Sequence, residues 1–124
     1  MTQQEQHDFM GYHVLGEMYG IPAEKLDNME LLKEALTKGI EASGATICSM
    51  QEKQFDPQGI TLLALLSESH ASIHTYPDRG ALFFDAFTCG ETCQPIRIAE
   101  ALSAYLEPER SDLQTIRRPS LKTQ

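Results

Sequence analysis

No stretch of this sequence is apolar for long enough to cross a bilayer. The opening residues, MTQQEQHDF, carry neither the charged nor the apolar region of an export signal, so the cytoplasm is the expected compartment. Cysteine is scarce: three residues, an odd number without paired spacing, argue against a disulfide framework and suit a reducing compartment. Positive charge is short as well. Ten Lys and Arg against eighteen Asp and Glu give a net charge of −8, which speaks against nucleic acid and anionic membrane as partners. The deficit is uneven, four against eleven over residues 1–68 and six against seven over 69–124. An acidic body suits a cationic small substrate, and equally suits plain solubility.

What is present fits one domain over residues 1–124 with a single core; 41% of the chain is hydrophobic. Residues 1–9 read as a lead-in. His13–Tyr19 alternates as a strand and is broken by Gly20 and Pro22. Asp27 and Glu30 have capping-box spacing, which makes Asp27 the expected N-cap of a helix with Leu32, Leu36 and Ile40 on one stripe and Gly44 as its stop. The period then changes to strands over Ala45–Phe55, Ile60–Leu66, Ser69–Thr75 and Ala81–Thr88. Ile60–Leu66 is almost continuously apolar, the pattern of a central strand buried on both faces. Pro95 opens a second helix carrying Ile98, Leu102 and Tyr105/Leu106; Asp112–Arg118 is a short last strand before a loose tail. The order β-α-β-β-β-β-α-β with short connections predicts an α+β fold, a two-layer sandwich of an antiparallel sheet with two helices on one face. Such a sheet leaves its other face apolar, so a homodimer with sheets packed face to face is expected.

Chemistry-bearing residues gather in Leu66–Gly90, LSESHASIHTYPDRGALFFDAFTCG. Glu68 precedes Ser69, and His70 and His74 share one strand face with residue 72. Three readings of this stretch stand side by side. His70, His74 and Cys89, with Cys93, could hold a metal, although Cys89-x3-Cys93 is not the usual zinc spacing. They could be ordinary polar residues of strands and core. They could form a catalytic set.

A longer series of motifs bears on the third reading. Ser67-Glu68-Ser69-His70, Ile73-His74-Thr75 with Pro77, and Thr88-Cys89-Gly90 follow Gly11-x-His13, Leu26-Asp27-Asn28, Ser43-Gly44-Ala45-Thr46 and Phe55-x-Pro57-x-Gly59 in one order. Over residues 11–106 this series resembles the bacterial and archaeal S-adenosylmethionine decarboxylase family. The resemblance implies a proenzyme that cuts itself between Glu68 and Ser69, giving a β chain of 1–68 and an α chain that begins at the former Ser69. It implies that Ser69 becomes a pyruvoyl cofactor, whose carbonyl takes the amine of a cationic amino-acid substrate while the adjacent amide carbonyl accepts electrons as carbon dioxide leaves. No metal is implied. His74 would drive the elimination step of processing with Thr61 in support, where the family usually has Ser. Cys89, expected to be partly exposed, would protonate the substrate carbon. Phe55 would meet the purine or the sulfonium, and Asp78 the ribose.

Three departures concern the substrate. Tyr12 replaces the Arg of the usual Gly-Arg-His start, Ile60-Thr61-Leu62-Leu63 is bulkier than Val-Ser-Gly-Val, and Asp78 is one methylene shorter than Glu. They motivate an alternative in which the same chemistry acts on ornithine or arginine. A further alternative, a processing-dead homologue that binds or partners, sits poorly with intact Ser69, His74 and Cys89.

Overall fold

The computed structural model describes residues 9–67, 69–90 and 92–120. Strand β1 spans Gly11–Tyr19; a one-turn helix α1, Ala23–Leu26, and the longer α2, Met29–Ser43, follow. Strands β2 (Ile47–Gln54), β3 (Ile60–Leu66), β4 (His70–Tyr76) and β5 (Ala81–Cys89) come next, then α3 (Ile96–Leu106) and β6 (Arg110–Arg118). All six strands form one sheet in the order β2-β3-β4-β5-β1-β6, antiparallel at every pairing. This is the expected α+β architecture, with strand ends moved by at most two residues.

The helices bury the stripes that their spacing predicts. Leu32, Leu36 and Ile40 of α2 and Ile98, Leu102 and Leu106 of α3 are fully buried. They share one core with Val14, Met18, Leu62, Ile73, Leu82 and Ala86 from the covered face of the sheet. Gly44 ends α2 in the left-handed conformation, φ 93°, where a side chain would be strained.

Three expectations change. Asn28, not Asp27, caps α2: its side chain accepts from the Leu31 N–H at 3.1 Å. Asp27 is engaged instead by the turn after β2, where it accepts from the Gly59 N–H at 2.9 Å and from Gln54 Nε2 at 3.0 Å. Pro95 is the residue before α3, already at helical φ −63°, rather than its first residue. Strand β3 is second from the sheet edge and buried on one face only; Leu63 and Leu65 are 47% and 57% exposed. Its continuous apolar run therefore has a covered half and an uncovered half.

The uncovered face is ordered in cross-strand rows, because residues opposite one another in a ladder point the same way. One row holds Leu65, His70, Phe87 and His13; the middle row Leu63, Ser72, Asp85 and Leu15; the third Thr61, His74, Phe83 and Glu17. Leu15, Leu63, Leu65, Phe83 and Ile116 are all exposed. Together they form an apolar field around a polar centre.

Candidate active site

Ser69 sits in the tight connection between β3 and β4. The Leu66 N–H donates to the Ser69 carbonyl at 2.9 Å, the Ser69 N–H to the Leu66 carbonyl at 3.4 Å, and the Ser67 N–H to Thr46 at 2.9 Å. Glu68, on the other side of the expected cleavage bond, lies outside the described residues. Beside Ser69 is a cavity of about 50 Å³ lined by Gly44, Thr46, Thr88, Cys89 and Cys93 among others. Beside it the chain after β5 is pinned to the end of α2, where the Gln94 N–H donates to the Ser43 carbonyl at 2.9 Å. Cys89 is thereby buried, 6% exposed, and not partly exposed as expected. Gly11 lies opposite Cys89 in the β1–β5 ladder. A Cβ there would stand 2.4 Å from the Thr88 carbonyl, so only glycine allows this approach.

The cavity has room for roughly one or two waters. It suits an intramolecular attack and is too small for a substrate. One lining group is unusual. Thr88 is 1% exposed, and its hydroxyl has no hydrogen-bond partner among the described residues. Leaving a buried hydroxyl unsatisfied costs roughly 1–3 kcal/mol.

The other expected site residues lie at the opposite end of the sheet. Thr61 Oγ1 and His74 Nδ1 are 3.2 Å apart, which leaves His74 Nε2 for another partner. Phe55 is exposed at the turn after β2, with Lys53 Nζ 5.7 Å from its ring centre, and Asp78 lies in the single 3-10 turn Pro77–Arg79 after β4. Ser69 and His74 are five residues apart along an extended strand, about 16 Å. A single chain thus groups Ser69 with Cys89, and Thr61, His74, Phe55 and Asp78 elsewhere. The metal set of His70, His74, Cys89 and Cys93 does not assemble for the same reason.

A third group lies at the centre of the open face, and the motifs give it no role. Asp85 accepts from Ser72 Oγ, from His13 Nε2 at 2.8 Å and from His70 Nε2 at 3.0 Å. Burial pushes its carboxyl upward, but these three donors outweigh burial and hold it below the ordinary carboxylate range. His13, His70 and Asp85 present ligand atoms within 4.8 Å of one another, as a metal site would. The Arg118 guanidinium lies 3.2 Å from His13 Nδ1, and because it can only donate, Nδ1 accepts and Nε2 carries the proton given to Asp85. A nitrogen so protonated binds no metal, and the group reads as a hydrogen-bonded clamp. Its trace in the sequence is an ionisable residue in mid-strand, Phe84-Asp85-Ala86, on an otherwise apolar segment.

Larger spaces open on the uncovered side. One of about 650 Å³ is lined by Leu15, Glu17, Phe83, Asp112 and Gln114 among others, and one of about 380 Å³ by Gln51, Leu63, Leu65, His70 and Ser72 among others. No described helix is long and apolar enough to cross a membrane.

Residues 12–119 match the S-adenosylmethionine decarboxylase family model. The chain is 45% identical over 106 residues to an S-adenosylmethionine decarboxylase proenzyme of Brevibacillus brevis, covering 86% of this chain and 80% of that protein. It is 37% identical over 109 residues to the proenzyme of that name from Methanococcus maripaludis, covering 88% and 89%. The crystal structure of the adenosylmethionine decarboxylase from Aquifex aeolicus superimposes with a TM-score of 0.79 at 34% identity, covering 87% of this chain and 89% of that one.

Proposed function

Because the chain belongs to the S-adenosylmethionine decarboxylase family, we propose that it decarboxylates S-adenosylmethionine for polyamine biosynthesis, as a pyruvoyl enzyme made by cleavage at Glu68–Ser69. The observation that carries the reading is the juxtaposition of Ser69, Thr88 and Cys89 around one small cavity. These residues fit a pyruvoyl group formed in place, since a buried hydroxyl without a partner lines the space where new carbonyl oxygens would form. Once formed, the group supplies a ketone for the substrate amine and an electron sink for decarboxylation, which side chains cannot provide.

The chain's own residues do the rest. Ser69 Oγ attacks the preceding carbonyl beside a cavity with room for few waters, which limits hydrolysis of the ester before elimination. Cys89, packed against the same cavity, holds the proton destined for the substrate carbon. Thr61 fixes the ring of His74 through Nδ1, leaving Nε2 to take the proton that drives elimination. Phe55 offers an exposed ring to the purine or sulfonium, and Asp78 a carboxylate to the ribose.

His74 cannot do this for Ser69 of its own chain at about 16 Å. A second copy can. If two open faces pack about a two-fold axis that crosses the strands at the middle row, the Thr61–His74 row of one copy lies over the His70 row of the other. The exposed Leu15, Leu63, Leu65 and Phe83 would then be buried, and β3 would become apolar on two covered faces. We read the working enzyme as this homodimer of cleaved protomers, with each site built from two subunits.

The direct test is intact-mass spectrometry of the purified protein, followed by carbon dioxide release from S-adenosylmethionine, ornithine and arginine. Two fragments, of residues 1–68 and of 69–124 with a blocked N-terminus, and release from S-adenosylmethionine alone are expected. A chain still whole after prolonged incubation would refute self-cleavage; brisk release from ornithine or arginine without turnover of S-adenosylmethionine would refute the substrate.

A further inference from the structure

We propose that Thr88 is a catalytic residue of self-cleavage, its hydroxyl donating to the oxygen of the carbonyl that precedes Ser69 as that oxygen becomes negatively charged. The inference rests on the reading of Ser69 given above and adds a residue to it. In the step concerned, a bond forms between Ser69 Oγ and the carbonyl carbon of residue 68, the C–N bond breaks, and the hydroxyl proton passes to the departing nitrogen. No other reactant is needed. Between bond formation and bond breakage the former carbonyl oxygen carries the charge, and a donor already in place there lowers the barrier.

Thr88 meets the requirements of such a donor. It is buried, it lines the cavity that Ser69 lines, and its hydroxyl is uncommitted among the described residues. Among the described residues of the turn, three backbone donors are already engaged: Leu66 N–H to Ser69, Ser67 N–H to Thr46, and Ser69 N–H to Leu66. Thr88 is also held rigidly. It lies opposite Tyr12 within the β1–β5 ladder, and its β-branched side chain has few rotamers. Valine would fill the same volume without an unsatisfied hydroxyl, so packing alone does not call for threonine.

Thr88→Val and Thr88→Ser, compared with the wild-type chain, separate this role from a structural one. The readouts are the rate of cleavage, followed by intact mass from the freshly folded proenzyme, and the midpoint of thermal unfolding of a Ser69→Ala background that stays whole. Thr88→Val is expected to cleave about 100-fold more slowly, the loss typical of removing one oxyanion donor. Its unfolding midpoint should equal or exceed that of its parent, and Thr88→Ser should cleave near the wild-type rate. Wild-type cleavage by Thr88→Val would overturn the proposal, as would a lowered midpoint accompanied by equally slow Thr88→Ser. An uncleaved wild-type chain would remove the reading of Ser69 itself, and this proposal with it.

Discussion

Asp85 is the residue on which the open face is organised. It stands between Phe83 and Phe87 on a strand face where most neighbours are apolar, and three side chains donate to it from β1 and β4. One of them belongs to His70, the second residue after the proposed cleavage bond, so the clamp also steadies the start of the future α chain. The carboxylate is stabilised on folding, since its folded value lies below the unfolded one of about 3.9. The sign follows from linkage: this stability is fully present above the unfolded value and is lost as pH falls through the folded one. Asp85→Asn is therefore expected to be less stable at pH 7 by about 2 kcal/mol, the scale of hydrogen bonds to a charged group. Urea unfolding of both proteins should show that gap closing only below about pH 4; a gap unchanged down to pH 2 would mean that charge is not its source. Motif order marks Ser69, His74 and Cys89 in the sequence. The clamp is hidden there because it depends on the register between His13 and a residue 72 positions later, and the vacant hydroxyl of Thr88 depends on packing that no local pattern records.

Among the elements, the turn between β2 and β3 shows how one side chain can serve two parts of the fold. Asp27 leaves the capping of α2 to Asn28 and instead ties Gly59 and Gln54, and with them the turn that displays Phe55. The Phe55 N–H closes the same turn on the Gly59 carbonyl at 2.8 Å. Asp27→Ala leaves α2 its cap and leaves the Ser69 connection untouched, so cleavage should proceed at the wild-type rate. Phe55 would lose its support, and KM for S-adenosylmethionine should rise several-fold with kcat nearly unchanged. A fall in kcat at constant KM would place Phe55 outside substrate binding. Asp27 and Asn28 are both good caps, so local chemistry cannot choose between them; a tertiary bond to Gly59 decides. The same limit applies to β3. Its apolar run is legible as a strand, but whether both faces are covered depends on a second molecule, and periodicity within one chain carries no information about that.

At the scale of the whole molecule, the division of the site between the two ends of one sheet is the strongest reason to think in pairs. It makes a prediction that no single-chain arrangement shares. A His74→Ala chain keeps its own Ser69 but, paired with itself, never meets an intact His74; a Ser69→Ala chain keeps His74 but has no hydroxyl to cleave. Each variant alone should stay whole or cleave very slowly. When the two are produced together, a mixed dimer brings Ser69 of the first chain to His74 of the second and rebuilds one complete site, while its other site is doubly disabled. Intact mass should then show fragments of the His74→Ala chain only, in an amount that tracks the fraction of mixed dimers recovered through a tag on one chain. If the His74→Ala chain in verified mixed dimers remains as uncleaved as it is alone, His74 does not act across the interface. If it cleaves as fast as wild type when alone, His74 is not the base. Replacing Leu63 and Leu65 by Lys in both chains supplies the remaining control: with the apolar field turned into like charge, pairing should fail, and complementation with it.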